Sequence, residues 1–167
     1  MGFLQRSPGA SLDELEALYR ASLPRFRRVA AAIVGDRERA CDVVQEAFGT
    51  AIRRRASFRR SGPLEAWVWR LVVNTARDHA RPFQPPPEEL LALGESHSNG
   101  NTPLHEELRV AVAFLPERQR LVLFLRYYAD LDYAAIATAL GIAPGTVAAS
   151  LNAAHAALRR TLQEVSQ

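Results

Sequence analysis

The chain has 167 residues, of which 48% are hydrophobic and 23% are charged, a composition typical of folded domains rather than of disordered or fibrous chains. Its formal net charge of +3 is unevenly distributed, because 15 arginines oppose nine acidic residues up to Arg81, whereas six arginines oppose nine acidic residues from Pro82 onward. Only the first half therefore has the excess of positive charge that attracts a polyanion.

Two amphipathic helices are predicted first. Ser11 and Glu14 have the spacing of a capping box, and behind them apolar residues recur at helical intervals up to Ile33. Gly35 ends this helix and Asp36 caps the next, which runs to about Arg55. The apolar side of the second helix consists of Ala40, Val44, Ala47, Phe48 and Ala51.

A third helix and a linker follow. Ser61, Gly62 and Pro63 form a helix start, and the helix is expected to run to about Arg81. Its predicted core stripe is Leu64, Val68, Leu71 and Thr75. The following residues include three consecutive prolines and then Gly, Ser and Asn, so residues 82–102 are predicted to be a flexible Pro-rich linker.

The second half predicts a helix-turn-helix. Helices are expected from Pro103 to Leu115 and from Pro116, followed by one that Asp132 caps and a last one that Pro144 opens. Ala137, Gly141 and Val147 stand where the motif needs a small residue, a turn residue and a buried branched residue; an ordinary helical hairpin is the alternative.

These patterns predict an all-α chain of two small domains, since no segment alternates at period two. The expected divisions are a tail at 1–10, a three- or four-helix bundle at 11–81, the linker at 82–102 and a helix-turn-helix domain at 103–167.

Longer stretches resemble a known family. LPERQR from residue 115, followed by LRYYADLDYAAIATALGIAPGTVAASL, resembles region 4 of bacterial sigma factors; ACDVVQEAF, an Arg-rich segment and WVWRLVVNTARDHAR resemble region 2. The chain is thus similar to the extracytoplasmic-function (ECF) type of the sigma-70 family. The resemblance implies that it binds RNA polymerase core, directs promoter recognition and DNA melting, and has an anti-sigma factor as a partner.

The resemblance assigns a polymerase-binding ridge to the second helix. Its polar side, opposite the apolar one, carries Asp42, Gln45, Glu46 and Arg53. In the family this ridge clamps a coiled coil of the largest polymerase subunits, a contact suited to carboxylates facing a basic partner. From spacing alone the same residues also fit a solvated face.

The next loop and helix are assigned to the downstream promoter element. The loop residues that would cradle an extruded base are Phe58, Arg59, Arg60 and Ser61, and the helical stripe consists of Trp67, Arg70, Asn74, Arg77 and Arg81. An aromatic ring stacks on a base, an amide bonds a base edge and guanidinium groups hold phosphates. Trp67 also fits a core position.

The last helix is assigned to upstream promoter DNA, with polar candidates Thr146, Ser150, Asn152, His155, Arg159 and Arg160. It departs from the family in having few basic residues: Ala149, Ala153 and Ala156 are expected to face outward, and Ala143 replaces the usual Ser cap. Two other functions therefore stay open, a sigma-like interaction protein with weakened upstream binding and a stand-alone helix-turn-helix regulator.

Several kinds of chemistry are not indicated. The four histidines, His79, His97, His105 and His155, lack companions at metal-ligand spacing, and no phosphate loop or nucleophile elbow occurs, so no cofactor, metal or catalysis is expected. The single cysteine, Cys41, excludes an internal disulfide and is expected in the core. No stretch approaches the roughly 20 apolar residues of a membrane span, so a cytoplasmic protein without membrane insertion is expected.

Overall fold

A computed structural model describes residues 9–80 and 103–165, and every regular element in these two ranges is a helix. The linker, Arg81 and most of the N-terminal tail lie outside the described residues. The first range contains α1 (Leu12–Val34), α2 (Arg37–Arg54), a short 3₁₀ turn (Arg55–Ser57) and α3 (Leu64–His79). The second contains α4 (Pro103–Ala113), α5 (Glu117–Tyr127), α6 (Tyr133–Leu140) and α7 (Pro144–Val165).

The helix boundaries follow the predicted caps. The Ser11 hydroxyl accepts from the Glu14 N–H while the Glu14 carboxylate accepts from the Ser11 N–H, which is the complete capping box. Gly35 ends α1 in the left-handed conformation, and the Asp36 carboxylate caps α2. The predicted starts and stops of the first two helices are confirmed.

Helices α1, α2 and α3 pack against one another around three aromatic rings. The Phe26 ring centroid lies 4.4 Å from that of Trp69 and 5.3 Å from that of Phe48, and all three side chains are buried. The Trp69 indole N–H donates to the Glu65 carboxylate at 3.4 Å, so the one polar atom of this ring has a partner. This cluster fixes the angle between α2 and α3.

The predicted core stripe of α3 is wrong in phase. Val68 is buried, but Leu64, Leu71 and Thr75 are only half-buried, and the main core residue is Trp69. Six of the seven residues from 67 to 73 are apolar, so hydrophobic spacing alone does not fix which face turns inward. Cys41 is likewise only half-buried rather than a core residue.

The second half contains the predicted helix-turn-helix, formed by α6 and α7. The Asp132 carboxylate accepts from the Ala135 N–H at the start of α6, and Gly141 ends it with φ of 67°, a conformation that glycine adopts without strain. Ala137 and Val147 are both buried, as the motif requires. An ordinary helical hairpin does not require a left-handed glycine together with buried residues at both of these positions.

The two halves dock on each other, which the sequence did not indicate. Helix α3 packs against α6, and the buried residues of both halves form one continuous cluster. The Arg77 Nε donates to Glu117 Oε1 at 2.8 Å, and the Arg25 Nη1 donates to the Ala129 carbonyl at 2.8 Å. A cleft of about 510 Å³ lies beside the Arg77–Glu117 pair, and apart from Arg77 its lining comes from the second half.

No single helix within the described ranges is long and apolar enough to cross a membrane. The helices Tyr133–Leu140 and Pro144–Gln163 meet the criterion of length and composition only when taken together, and the chain bends by 100° between them. Buried core helices of ordinary globular proteins meet the same criterion.

Replacing Trp69 by alanine is expected to lower the free energy of unfolding by about 3 to 5 kcal/mol, because a large cavity forms between all three helices. Trp67→Ala removes the same side chain from a half-buried position and is expected to cost clearly less. Urea denaturation followed by circular dichroism compares the two variants. Equal losses would contradict the assignment of Trp69 as the central core residue.

Candidate nucleic-acid and polymerase interfaces

The predicted polar ridge of α2 is present as a continuous exposed surface. Asp42, Gln45, Glu46 and Arg53 are all exposed, while Val44, Ala47, Phe48 and Ala51 on the opposite side are buried. The four polar side chains thus lie along one face of the helix, and Phe48 anchors the opposite face in the core.

One ridge residue is held by α3. The Nε2 of His79 lies 2.8 Å from Glu46 Oε2, and Arg39 donates to the His79 carbonyl. His79 was not predicted in this role, because it is far from Glu46 in sequence. This contact links the Glu46 carboxylate to α3, whereas the Arg53 guanidinium donates within its own helix, to the Thr50 hydroxyl at 2.9 Å.

In the loop between α2 and α3, Phe58 is far less exposed than the other residues predicted to contact an extruded base. It is 6% exposed, and its ring centroid lies 5.5 Å from that of Trp67. A side chain with so little free surface supports its neighbour and does not itself cradle a base. The three residues that follow, Arg59, Arg60 and Ser61, are exposed as predicted.

Arg60 is paired with Glu14, which the sequence predicted only as part of the α1 cap. Its Nη1 and Nη2 donate to Glu14 Oε1 and Oε2 at 3.0 and 2.8 Å, a bidentate ion pair. The hydrogen bonds from Arg60 lower the pKa of Glu14 from its ordinary value of 4.5 to about 2, with help from the Ser11 N–H. Arg60 has φ of 54°, which is unusual for a residue other than glycine.

The α3 stripe is largely exposed beside this loop. Trp67 is half-buried, so it is neither a pure core residue nor a free one, and Arg70, Asn74 and Arg77 are exposed. Two of these arginines adjoin the second half: Arg77 pairs with Glu117, and the Arg70 guanidinium lies 3.6 Å from where a Cβ on Gly141 would stand. The docked second half thus lies directly beside the stripe.

On α7 the residues predicted to contact DNA differ in exposure. Ser150 is only 9% exposed, because it lies three residues after Val147 and four before Ala154, within the buried stripe. Asn152, Arg159 and Arg160 are exposed, and Thr146 and His155 are half-buried. The outward positions of Ala149, Ala153 and Ala156 are confirmed.

A second unpredicted contact involves His155. The exposed Tyr127 of α5 places its hydroxyl 2.9 Å from His155 Nε2. Sequence spacing gave no signal for this pair, which forms only because α5 and α7 pack together. Among the described residues no three His, Cys, Asp or Glu side chains form a group that could hold a metal ion.

Comparison with known proteins identifies both halves. Residues 18–82 match the model of sigma-70 region 2, and residues 105–162 match that of sigma-70 region 4. The RNA polymerase sigma-H factor of Pseudomonas aeruginosa is 33% identical over 147 residues, which cover 78% of this chain and 76% of that protein. The chain belongs to the ECF sigma factors of the sigma-70 family.

Further relatives agree with this assignment. The ECF RNA polymerase sigma-E factor of Escherichia coli K12 is 34% identical over 139 residues, 73% of each chain. CnrH in its complex with the cytosolic domain of CnrY has the same fold, with a TM-score of 0.72, 20% identity and coverage of 93% of this chain and 91% of that one. The sigma factor RpoE bound to the anti-sigma factor NepR from Bartonella quintana gives a TM-score of 0.67 at 19% identity, covering 91% and 98%.

This sigma factor therefore directs RNA polymerase to promoters and is not an enzyme. The region 2 match contains the ridge, the loop and α3, and the region 4 match contains the helix-turn-helix. Ser11 and Glu14 precede the matched residues, so the family comparison does not assign them a role.

The Glu14–Arg60 pair predicts a defined pH dependence. Because the pKa of Glu14 is lower in the folded than in the unfolded chain, the pair stabilises the fold above pH 4.5, and this contribution is lost as the pH falls from about 4.5 to about 2. NMR titration of the Glu14 carboxyl carbon is expected to show a midpoint near pH 2. In Arg60→Ala the midpoint is expected to rise towards 4.5; an unchanged midpoint would show that Arg60 is not the cause.

Proposed function

We propose that the polar ridge of α2 is the surface of this sigma factor that binds RNA polymerase core. The supporting observation is that Asp42, Gln45, Glu46 and Arg53 are exposed together on one face, with the helix held rigidly behind them. The exposed carboxylates of Asp42 and Glu46 suit a basic partner surface, since electrostatic complementarity sets the register and speeds association.

Reversing one ridge charge tests this assignment. Asp42→Arg is expected to weaken binding to core polymerase by about 10- to 100-fold, because a guanidinium replaces a carboxylate facing basic residues. The matched control is Glu16→Arg, the same change at an exposed position on α1. Affinity measured by biolayer interferometry should fall only for Asp42→Arg, and equal affinities would contradict the ridge assignment.

For the downstream promoter element we propose a single-strand binding surface made of the loop and the outer stripe of α3. Its members are Arg59, Arg60, Ser61, Trp67, Arg70, Asn74 and Arg77, with Arg81 as an additional contact. Exposed arginines attract the phosphates, Trp67 offers a ring face, and Asn74 bonds a base edge. Phe58 supports Trp67 from beneath. Binding of separated bases offsets the free energy of melting.

The amide of Asn74 provides the second test. Asn74→Ala is expected to reduce the affinity of the reconstituted holoenzyme for downstream non-template strand by about five- to tenfold, the effect of one lost base contact. Gln163→Ala, which removes an exposed amide from α7, serves as the control. Fluorescence anisotropy with a labelled single strand measures both, and an unaltered affinity in Asn74→Ala would remove Asn74 from the surface.

Upstream promoter contact is proposed to rest on fewer groups than the sequence predicted. With Ser150 buried, the polar candidates are Thr146, Asn152, His155, Arg159 and Arg160, and exposed alanines occupy much of the remaining face. Fewer phosphate contacts give weaker, less salt-sensitive duplex binding. This exposed alanine face also favours the second candidate function, a sigma-like interaction protein whose upstream recognition is weakened.

The domain plan and partners complete the proposal. We assign a tail to 1–10, region 2 to 11–81, a flexible Pro-rich linker to 82–102 and region 4 to 103–167. An anti-sigma factor is a further proposed partner, because RpoE from Bartonella quintana, whose structure is similar, is in complex with the anti-sigma factor NepR. The site of action is the cytoplasm.

A further inference from the structure

The loop that precedes α3 is tied to the start of α1 at two separate points. The Ala10 N–H donates to the Arg55 carbonyl at 2.9 Å, and Arg60 forms its bidentate pair with Glu14. A Cβ on Gly9 would stand 2.5 Å from the Arg55 oxygen, so the chain approaches the loop here as closely as only glycine allows. The two ties enclose residues 55–60 between them.

The Glu14 carboxylate takes part in the helix cap and in the Arg60 pair at once. Oε2 accepts from the Ser11 N–H at 2.8 Å to close the capping box, and both oxygens accept from Arg60. The position of the carboxylate is thus set by the rigid end of α1 rather than by the loop. Only a charged group with two oxygens satisfies the cap and the guanidinium fork together.

Arg60 would not hold its conformation by itself. Its φ of 54° is disfavoured for a side chain with a Cβ, so contacts elsewhere have to stabilise it. The bidentate pair provides such a contact, and the Arg60 guanidinium carbon also lies 5.9 Å from the Phe58 ring centroid. On either side of Arg60, Arg59 and Ser61 are exposed.

We propose that Glu14 is a positioning residue for downstream-element recognition: by holding Arg60 it fixes the loop geometry with which Arg59 and Ser61 select the extruded base. This inference rests on the proposed single-strand surface. A site that discriminates one base from another has to be held to within about half an ångström, which a loop alone does not achieve. Glu14 touches no DNA in this arrangement and acts only through Arg60.

Loss of the Glu14 charge is expected to lower base discrimination and to raise non-specific affinity for DNA. The loop becomes mobile, so discrimination between bases falls. The Arg60 cation is no longer neutralised, so its attraction for any phosphate rises. A merely structural role would weaken both properties together, and this difference makes the proposal testable.

The test compares three variants in holoenzyme reconstituted with core polymerase. Glu14→Gln keeps an oxygen for the capping box but loses the ion pair. Ser11→Ala removes the hydroxyl of the cap and keeps the pair, and Glu16→Gln removes an equal charge from a neighbouring exposed position on α1. Initiation from a promoter pool with randomised downstream bases gives base preference, and anisotropy with labelled oligo-dT gives non-specific affinity.

We expect Glu14→Gln to lower the preference at the extruded base by at least about fivefold and to raise oligo-dT affinity by about twofold, while both controls resemble the wild type. If Glu14→Gln keeps the wild-type base preference, the proposed role of Glu14 is wrong. It is also wrong if Ser11→Ala loses as much base preference as Glu14→Gln, because the effect would then come from the helix cap. If the wild-type holoenzyme itself shows no preference at any downstream base, the proposed function fails instead.

Discussion

The burial of Trp69 between α1 and α2 is the constraint on which the functional surfaces depend. Its ring contacts Phe26, which in turn packs against Phe48 on the ridge helix. With one aromatic residue from each of the three helices in the cluster, α2 and α3 are not free to rotate about their axes. The faces of both helices that remain outside are then fixed: the ridge on α2 and the arginine-bearing stripe on α3.

Charge is organised around the same frame. The first half has more arginines than carboxylates, yet several arginines are already paired, Arg60 with Glu14, Arg25 with Glu65 and Arg77 with Glu117. These pairs are partly exposed, so each adds little stability, but each fixes where a guanidinium stands. The Glu14 and Glu117 carboxylates lie outside the arginine-bearing loop and α3 stripe that they contact. Glu14 belongs to the first turn of α1, and Glu117 belongs to the second half. Local geometry and long-range docking therefore both affect where the arginine side chains stand and which of them are paired with a carboxylate.

Region 4 contrasts with region 2 in how polar groups are distributed. Its core has the full helix-turn-helix pattern, with Ala137, Gly141 and Val147 in their expected roles. Its outer face consists largely of alanine, and burial of Ser150 removes one of the few polar groups that the sequence offered. The fold of a helical domain and the chemistry of its outer face are therefore independent, because the buried stripe and the exposed face of a helix are set by different residues.

The sequence by itself determined the helices and most of their ends, because the Ser11, Asp36 and Asp132 caps and the glycines at 35 and 141 act within a few residues of the chain. It also determined the exposed ridge, which follows from helical spacing, and its resemblance to sigma regions 2 and 4 implied the two-region plan. Only the tertiary structure decided the inward face of α3, where nearly every residue from 67 to 73 is apolar and spacing gives no phase. The pairs Glu14–Arg60, Glu46–His79 and Arg77–Glu117, which lie 33 to 46 residues apart, were equally out of reach, because a long-range ion pair forms only where packing brings its partners together.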